Sequence, residues 1–201
     1  ENGWITGLVG GDYAIIFQER AITRMDYVGS PLVFQFNTLV QNNGTVIPKS
    51  IITIGRITYF KGIDGFYAFD GTHALAIGAN KVDRYFEDNF NSSFPDRVSV
   101  AADYGKNLIF WLYPSTNSTT GTPDSILVYN YSPNAERRWS TITFTLSDTP
   151  SLDTTVSFIM NAYSYGYTLE ELDVPFSSNL DLTNMPSLDS RVWTGNNLVL
   201  A

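Results

Sequence analysis

A short block recurs three times along this chain: a glycine, a polar residue or two, then an apolar run. It reads Gly11-Asp12-Tyr13-Ala14-Ile15-Ile16-Phe17, then Gly55-Arg56-Ile57-Thr58-Tyr59-Phe60, then Gly105-Lys106-Asn107-Leu108-Ile109-Phe110-Trp111. The glycines are 44 and 50 residues apart. A period of about 40–50 residues built from short apolar strands is the period of a propeller blade, a sheet of four antiparallel strands. Such a sheet buries neither face alone. Stacking sheets around an axis buries both faces and leaves only short edges.

The apolar runs support strands throughout. Tyr13 to Phe17, Leu32 to Phe36, Ile51 to Ile54, Ile57 to Phe60, Phe66 to Phe69, Leu108 to Tyr113, Ile126 to Tyr131 and Thr141 to Leu146 alternate or run continuously, and turn residues bound them. Each unit is expected to open at its glycine and to continue into a second strand at Ala21 to Met25, Phe66 to Phe69 or Ile126 to Tyr131. Strands buried on both faces read as continuous apolar runs, and the later, more polar strands suit an outer edge. One helix is expected over Lys81 to Phe90, where Val82, Tyr85, Phe86 and Phe90 share a face. Another helical turn is expected at Thr168 to Leu172.

The reading is all-β: about three four-stranded antiparallel propeller blades over residues 1–147, part of a larger propeller. Residues 148–201 read as an extended connection, with strand character at Val156 to Tyr167 and a further strand starting at Leu198. The chain stops inside that apolar run, so a longer polypeptide is expected. A kelch-like pattern marks the third unit, where Val128-Tyr129-Asn130-Tyr131 precedes Trp139-Ser140; Trp139 is expected to pack between neighbouring blades.

Composition narrows function. Charged residues are only 16% of the chain against about 25% in ordinary domains. The 12 Tyr, 13 Phe and 4 Trp suit pleated sheet faces. A formal net charge of −8 argues against tight binding to a phosphate backbone, which needs clustered Lys and Arg. There is no cysteine, which removes disulfides, thiolate catalysis and Cys-based zinc sites. No apolar run reaches the roughly 18 residues of a membrane helix, so no membrane span is expected.

No catalytic, cofactor-binding or metal-binding residue emerges, and no enzyme is expected. His73 is the only histidine and follows the turn Asp70-Gly71-Thr72. Glu19, Asp26, Asp64, Asp70, Asp83, Glu87, Asp88, Asp96 and Asp103 show no metal-loop spacing, and most of the Asp sit in turns. A carboxylate pair at a propeller centre would suit a glycosidase, the least favoured reading. Glu19, Arg20, Arg24, Arg137 and Arg138 are candidates for pairing with a neighbouring subunit. Sequons begin at Asn43, Asn91 and Asn117.

Residues Tyr13 to Met25, the stretch Asp64 to Gly71 with Ile77 to Arg84, and Pro186 to Gly195 resemble tail proteins of tailed bacteriophages. The resemblance runs from about residue 10 to 195. It implies a virion structural protein with a propeller, of the nozzle or hub type at the end of a short tail. It implies a homo-oligomeric ring, commonly hexameric, around the channel through which DNA passes without specific binding. It implies contacts with other virion proteins (the adaptor, portal-proximal and fibre proteins) and carries over no catalytic residue. The alternative is a kelch-like or lectin-like interaction module that binds protein or glycan.

Overall fold

Each recurring glycine lies in the first hairpin of a four-stranded antiparallel sheet. In the computed structural model, which describes residues 2–143, 159–160 and 199–200, the first sheet comprises β1 (Ile5–Val9), β2 (Ala14–Gln18), β3 (Ala21–Tyr27) and β4 (Phe34–Gln41). The second comprises β5 (Ile52–Ile54), β6 (Ile57–Lys61), β7 (Phe66–Phe69) and β8 (Ala74–Ala76). The third comprises β9 (Ser99–Asp103), β10 (Leu108–Tyr113), β11 (Ser125–Asn130) and β12 (Trp139–Thr143). In all three the spatial order follows the chain. The repeat is therefore real, but its phase is one strand earlier than the glycines suggest. The opening strand β5 falls within the expected run Ile51 to Ile54, whereas β1 and β9 escape the pattern because they are rich in Gly or Ala. The glycines also do different work. Gly55 takes the left-handed conformation at φ 62°, whereas the third hairpin gives that conformation to Asn107.

The sheets stack face to face. Ile15, Phe17 and Ile22 of the first pack on Phe60 and Phe69 of the second, with the Phe17 and Phe60 rings edge to face at 5.1 Å. Tyr59 and Phe66, on the second sheet's other face, pack with Ile109, Trp111, Leu127 and Tyr129 of the third. The indole of Trp111 donates to the Ser50 carbonyl at 2.9 Å, and that of Trp139 donates to the Ile77 carbonyl at 3.1 Å. Trp139 thus bridges the second and third sheets, as its position after an aromatic strand suggests, although it is only partly buried. The far face of the third sheet, with Ala101, Leu112, Ile126 and Val128, packs with Ile159. Ile159 begins β13 (Ile159–Met160), which pairs with β14 (Val199–Leu200). These two short strands fall where Val156 to Tyr167 and the run from Leu198 were expected. The turn at Thr168 to Leu172 and the rest of the expected connection lie outside the described residues.

Helix α1 (Asp83–Asn89) fills the gap between the second and third sheets. Val82 and Phe86 are buried and Phe90 half-buried, as expected. Tyr85 is instead 40% exposed, because contacts to the second sheet fix the helix's rotation. Asp83 accepts the Phe66 amide at 3.0 Å, and Glu87 pairs with buried Lys61 at 2.7 Å. The Lys61 ammonium also donates to the Gly62 carbonyl at 2.7 Å, which helps offset the cost of burying it.

Burial pushes the Asp83 carboxyl above its usual range, outweighing the Phe66 amide and the Lys61 ammonium, which pull it down. The folded state therefore holds this proton more tightly than the unfolded state. The contribution favours folding below the ordinary carboxylate range and is lost as pH rises through the raised value. Asp83→Asn keeps an acceptor for the Phe66 amide and removes the ionisation. At about pH 7 its melting temperature is expected to equal or exceed that of the wild type, with the difference gone by about pH 3. A variant less stable at neutral pH than at acid pH, relative to wild type, would contradict this.

Candidate functional site: an open sheet face and a cleft

Residues directly opposite across a sheet share a face. In the first sheet the pairs Leu8↔Ile16, Ile16↔Thr23, Thr23↔Thr38, Ala14↔Met25, Met25↔Phe36 and Tyr27↔Phe34 define the face turned away from the second sheet. Leu8, Tyr27 and Phe36 on it are 67%, 73% and 59% exposed. Tyr27 and Phe34 meet edge to face at 5.9 Å. The pairs bring no charged side chain to this face; Arg24 and Asp26 lie on the other one, joined at 2.7 Å. Apart from the hydrogen-bonded hydroxyls of Thr23 and Thr38 the face is apolar, and exposed apolar patches of this kind mark interaction surfaces.

The repeat shows what this face corresponds to. Ile16 of β2, Phe60 of β6 and Trp111 of β10 lie on the same side of their respective sheets. Phe60 and Trp111 are buried against the sheet that precedes theirs in the stack. Ile16 points the same way and meets no sheet among the described residues. Among the described residues the stack is one-ended: packed at the third sheet, open at the first.

The second feature is a cleft of about 460 Å³ between the hairpin ends of the first and second sheets. Val9, Ile15 and Phe69 give it an apolar lining, and Asp12, Arg56 and Asp70 bring charge to it. The recurring Gly11 and Gly55 both line it, as do Gly10 and Gly71. Asp70 Oδ1 accepts the Thr72 amide at 2.8 Å, the Thr72 hydroxyl at 2.9 Å and the His73 amide at 2.7 Å. These bonds, first that from His73, hold the Asp70 carboxyl below its usual range. The carboxylate is thus fixed in place and charged.

The remaining candidates from the sequence resolve into local roles. His73 is an exposed turn residue whose backbone amide serves Asp70. Arg24, a candidate for pairing with another subunit, instead pairs with Asp26 of its own strand and lies over the Tyr13 ring at 4.0 Å. Arg138 donates to the Tyr129 hydroxyl at 3.3 Å, and Arg137 is exposed. Glu19 lies against Gly3, and the Arg20 amide bonds the Asn2 carbonyl at 3.1 Å. Asp64 accepts the Tyr67 hydroxyl at 2.7 Å, and Asp103 accepts the Gly105 amide at 2.9 Å. Asp88 and Asp96 make long ion pairs, each 3.7 Å, with Arg84 and Arg97, and the Asp96 carbonyl accepts from Lys49 at 3.1 Å.

Of the sequons, Asn43 is followed by fully buried Thr45. Asn91 uses both ends of its side chain, donating to the Ser118 carbonyl and accepting from the Ser93 amide. Asn117 is exposed. Among the described residues no three His, Cys, Asp or Glu side chains cluster so as to hold a metal ion, and no helix is long and apolar enough to cross a membrane.

Neither the open face nor the cleft is visible in a linear reading, since each is assembled from strands or turns far apart in the chain. The nearest signals are the apolar run Leu32 to Phe36 and the adjacent glycines Gly10 and Gly11. Compared with known families and with curated proteins, the chain matches no family model and no curated protein.

Proposed function

We propose that this chain is a structural part of a bacteriophage tail, made of propeller blades and acting by assembly rather than by chemistry. In this reading the open face of the first sheet receives an adjoining blade, and closed propellers take their places in a ring around the DNA channel. Other tail proteins contact the ring through loops and edges. The single observation that supports it is the one-ended stack, whose face left uncovered by the described residues is largely apolar, uncharged and on the same side of its sheet as faces buried elsewhere in the chain. The net charge of −8 fits a channel wall along which DNA slides without being held.

The test has two parts. The protein is expected in purified virions, with tail components. In a Leu8→Glu, Phe36→Glu double variant, charge on the open face should abolish assembly seen by sedimentation and by particle reconstitution. The melting temperature should shift little, because both side chains are exposed. Absence from virions, or normal assembly by the double variant, would sink the reading.

A further inference from the structure

We propose that the cleft between the first and second sheets is a binding site for a neutral saccharide. The inference stands apart from the tail assignment, since such a site would serve a virion protein and a free-standing interaction module alike.

The argument starts from room. The cleft's volume of about 460 Å³ falls in the usual range for small-ligand sites. Gly10 has nothing within 4 Å of where a side chain would begin, and Gly11 has only the Tyr13 carbonyl oxygen, at 3.7 Å. Neither takes a left-handed φ. Packing and backbone geometry therefore leave both positions free to carry a side chain, yet the cleft is bordered there by glycines.

The lining then selects the ligand. An anion would meet two carboxylates, Asp12 and Asp70, against one cation, Arg56. A simple cation would meet Arg56 and would leave Val9, Ile15 and Phe69 unused. A purely apolar ligand would strip water from three charged groups without replacing their hydrogen bonds, which is costly. A sugar ring satisfies all of them. Its C–H face covers apolar side chains, its hydroxyls donate to carboxylates, and its oxygens accept from a guanidinium. Asp70 is suited to this: its turn hydrogen bonds all fall on Oδ1, so Oδ2 has no protein partner among the described residues.

The test is a titration of the whole 201-residue chain with maltose, lactose and cellobiose, followed by ¹H–¹⁵N correlation spectra. Saturable shifts are expected at the amides of Gly10, Gly11, Gly55 and Gly71 for at least one sugar, with Kd on the order of 1 mM. Gly10→Leu should fill the cleft, weaken binding at least about tenfold and leave the melting temperature unchanged. Asp12→Ala, at an exposed turn position, should weaken binding without affecting the fold, and it serves should Gly10→Leu prove unstable. Three results would each overturn the proposal. One is no shift with any neutral sugar; another is undiminished binding in both variants. The third is tighter binding of spermidine or of a sulfated disaccharide than of the neutral sugars.

Discussion

Trp111→Ala is expected to cost about 3–5 kcal/mol of folding stability, the range for deleting a fully buried large aromatic. Trp111 has no exposed surface and sits at the centre of the seam between the second and third sheets. Its ring lies 5.0 Å from that of Phe66 and stacks on that of Trp139 at 6.0 Å. The cost has two parts. The cavity removes packing on both sides of the seam. The lost indole N–H leaves the buried Ser50 carbonyl without that donor. Trp111→Phe separates them, because it keeps much of the ring and none of the hydrogen bond. It should retain about 1–3 kcal/mol of the loss. Urea unfolding of both variants measures the split. An alanine variant destabilised by less than about 1 kcal/mol would mean that the seam does not hold the sheets together.

Gly44→Ala is expected to be nearly as damaging, although it adds only a methyl group. Gly44 lies where the connection from the first sheet to the second passes under the turn between β2 and β3. An alanine Cβ would overlap the Gln18 carbonyl oxygen and come within 2.8 Å of the Ala21 nitrogen. These obstacles are backbone atoms and cannot swing aside as a side chain can. Next to them, the Thr45 amide bonds the Gln18 carbonyl at 3.0 Å, so moving the connection also breaks that bond. A loss of about 3 kcal/mol, at the upper end for overpacking, should appear as a lower urea midpoint. Gly10→Ala is the internal control, since its Cβ would meet open space. Equal midpoints for the two variants would show that the connection can shift freely.

Much of the fold is legible in the sequence for a simple reason. The inner strands are covered on both faces, so Leu108 to Tyr113 and Ile126 to Tyr131 appear as continuous apolar runs bounded by turns. The first strand of the second sheet shows as the run Ile51 to Ile54, but the first strands of the other two sheets are not legible. Ser99–Asp103 carries alanines where β10 carries large residues, and burial against a neighbour, rather than intrinsic propensity, makes it a strand. The helix lies within a residue or two of its expected bounds and buries Val82 and Phe86 as expected, and only Tyr85 faces differently. Four apolar positions suggested one stripe, and the Lys61–Glu87 pair and the Asp83–Phe66 bond, both reaching across to the second sheet, turned Tyr85 outward. The two surface features were the least legible. The pairing of Met25 with Phe36 exists only once register is known, and the cleft needs Gly11 and Gly55 side by side.

The open face of the first sheet also bears on where the molecule yields. In a linear stack, stability is close to a sum of each unit's own free energy and its contacts with its neighbours. Among the described residues the second and third sheets are each packed on both faces, and the first is packed on one. As the unit with one neighbour it is expected to open at the lowest free energy and to fray before the rest, which amide hydrogen exchange would show. Whatever covers that face binds the folded first sheet and not the frayed one. By mass action it then acts as a folding ligand, and occupancy of the face and order in the first sheet rise together.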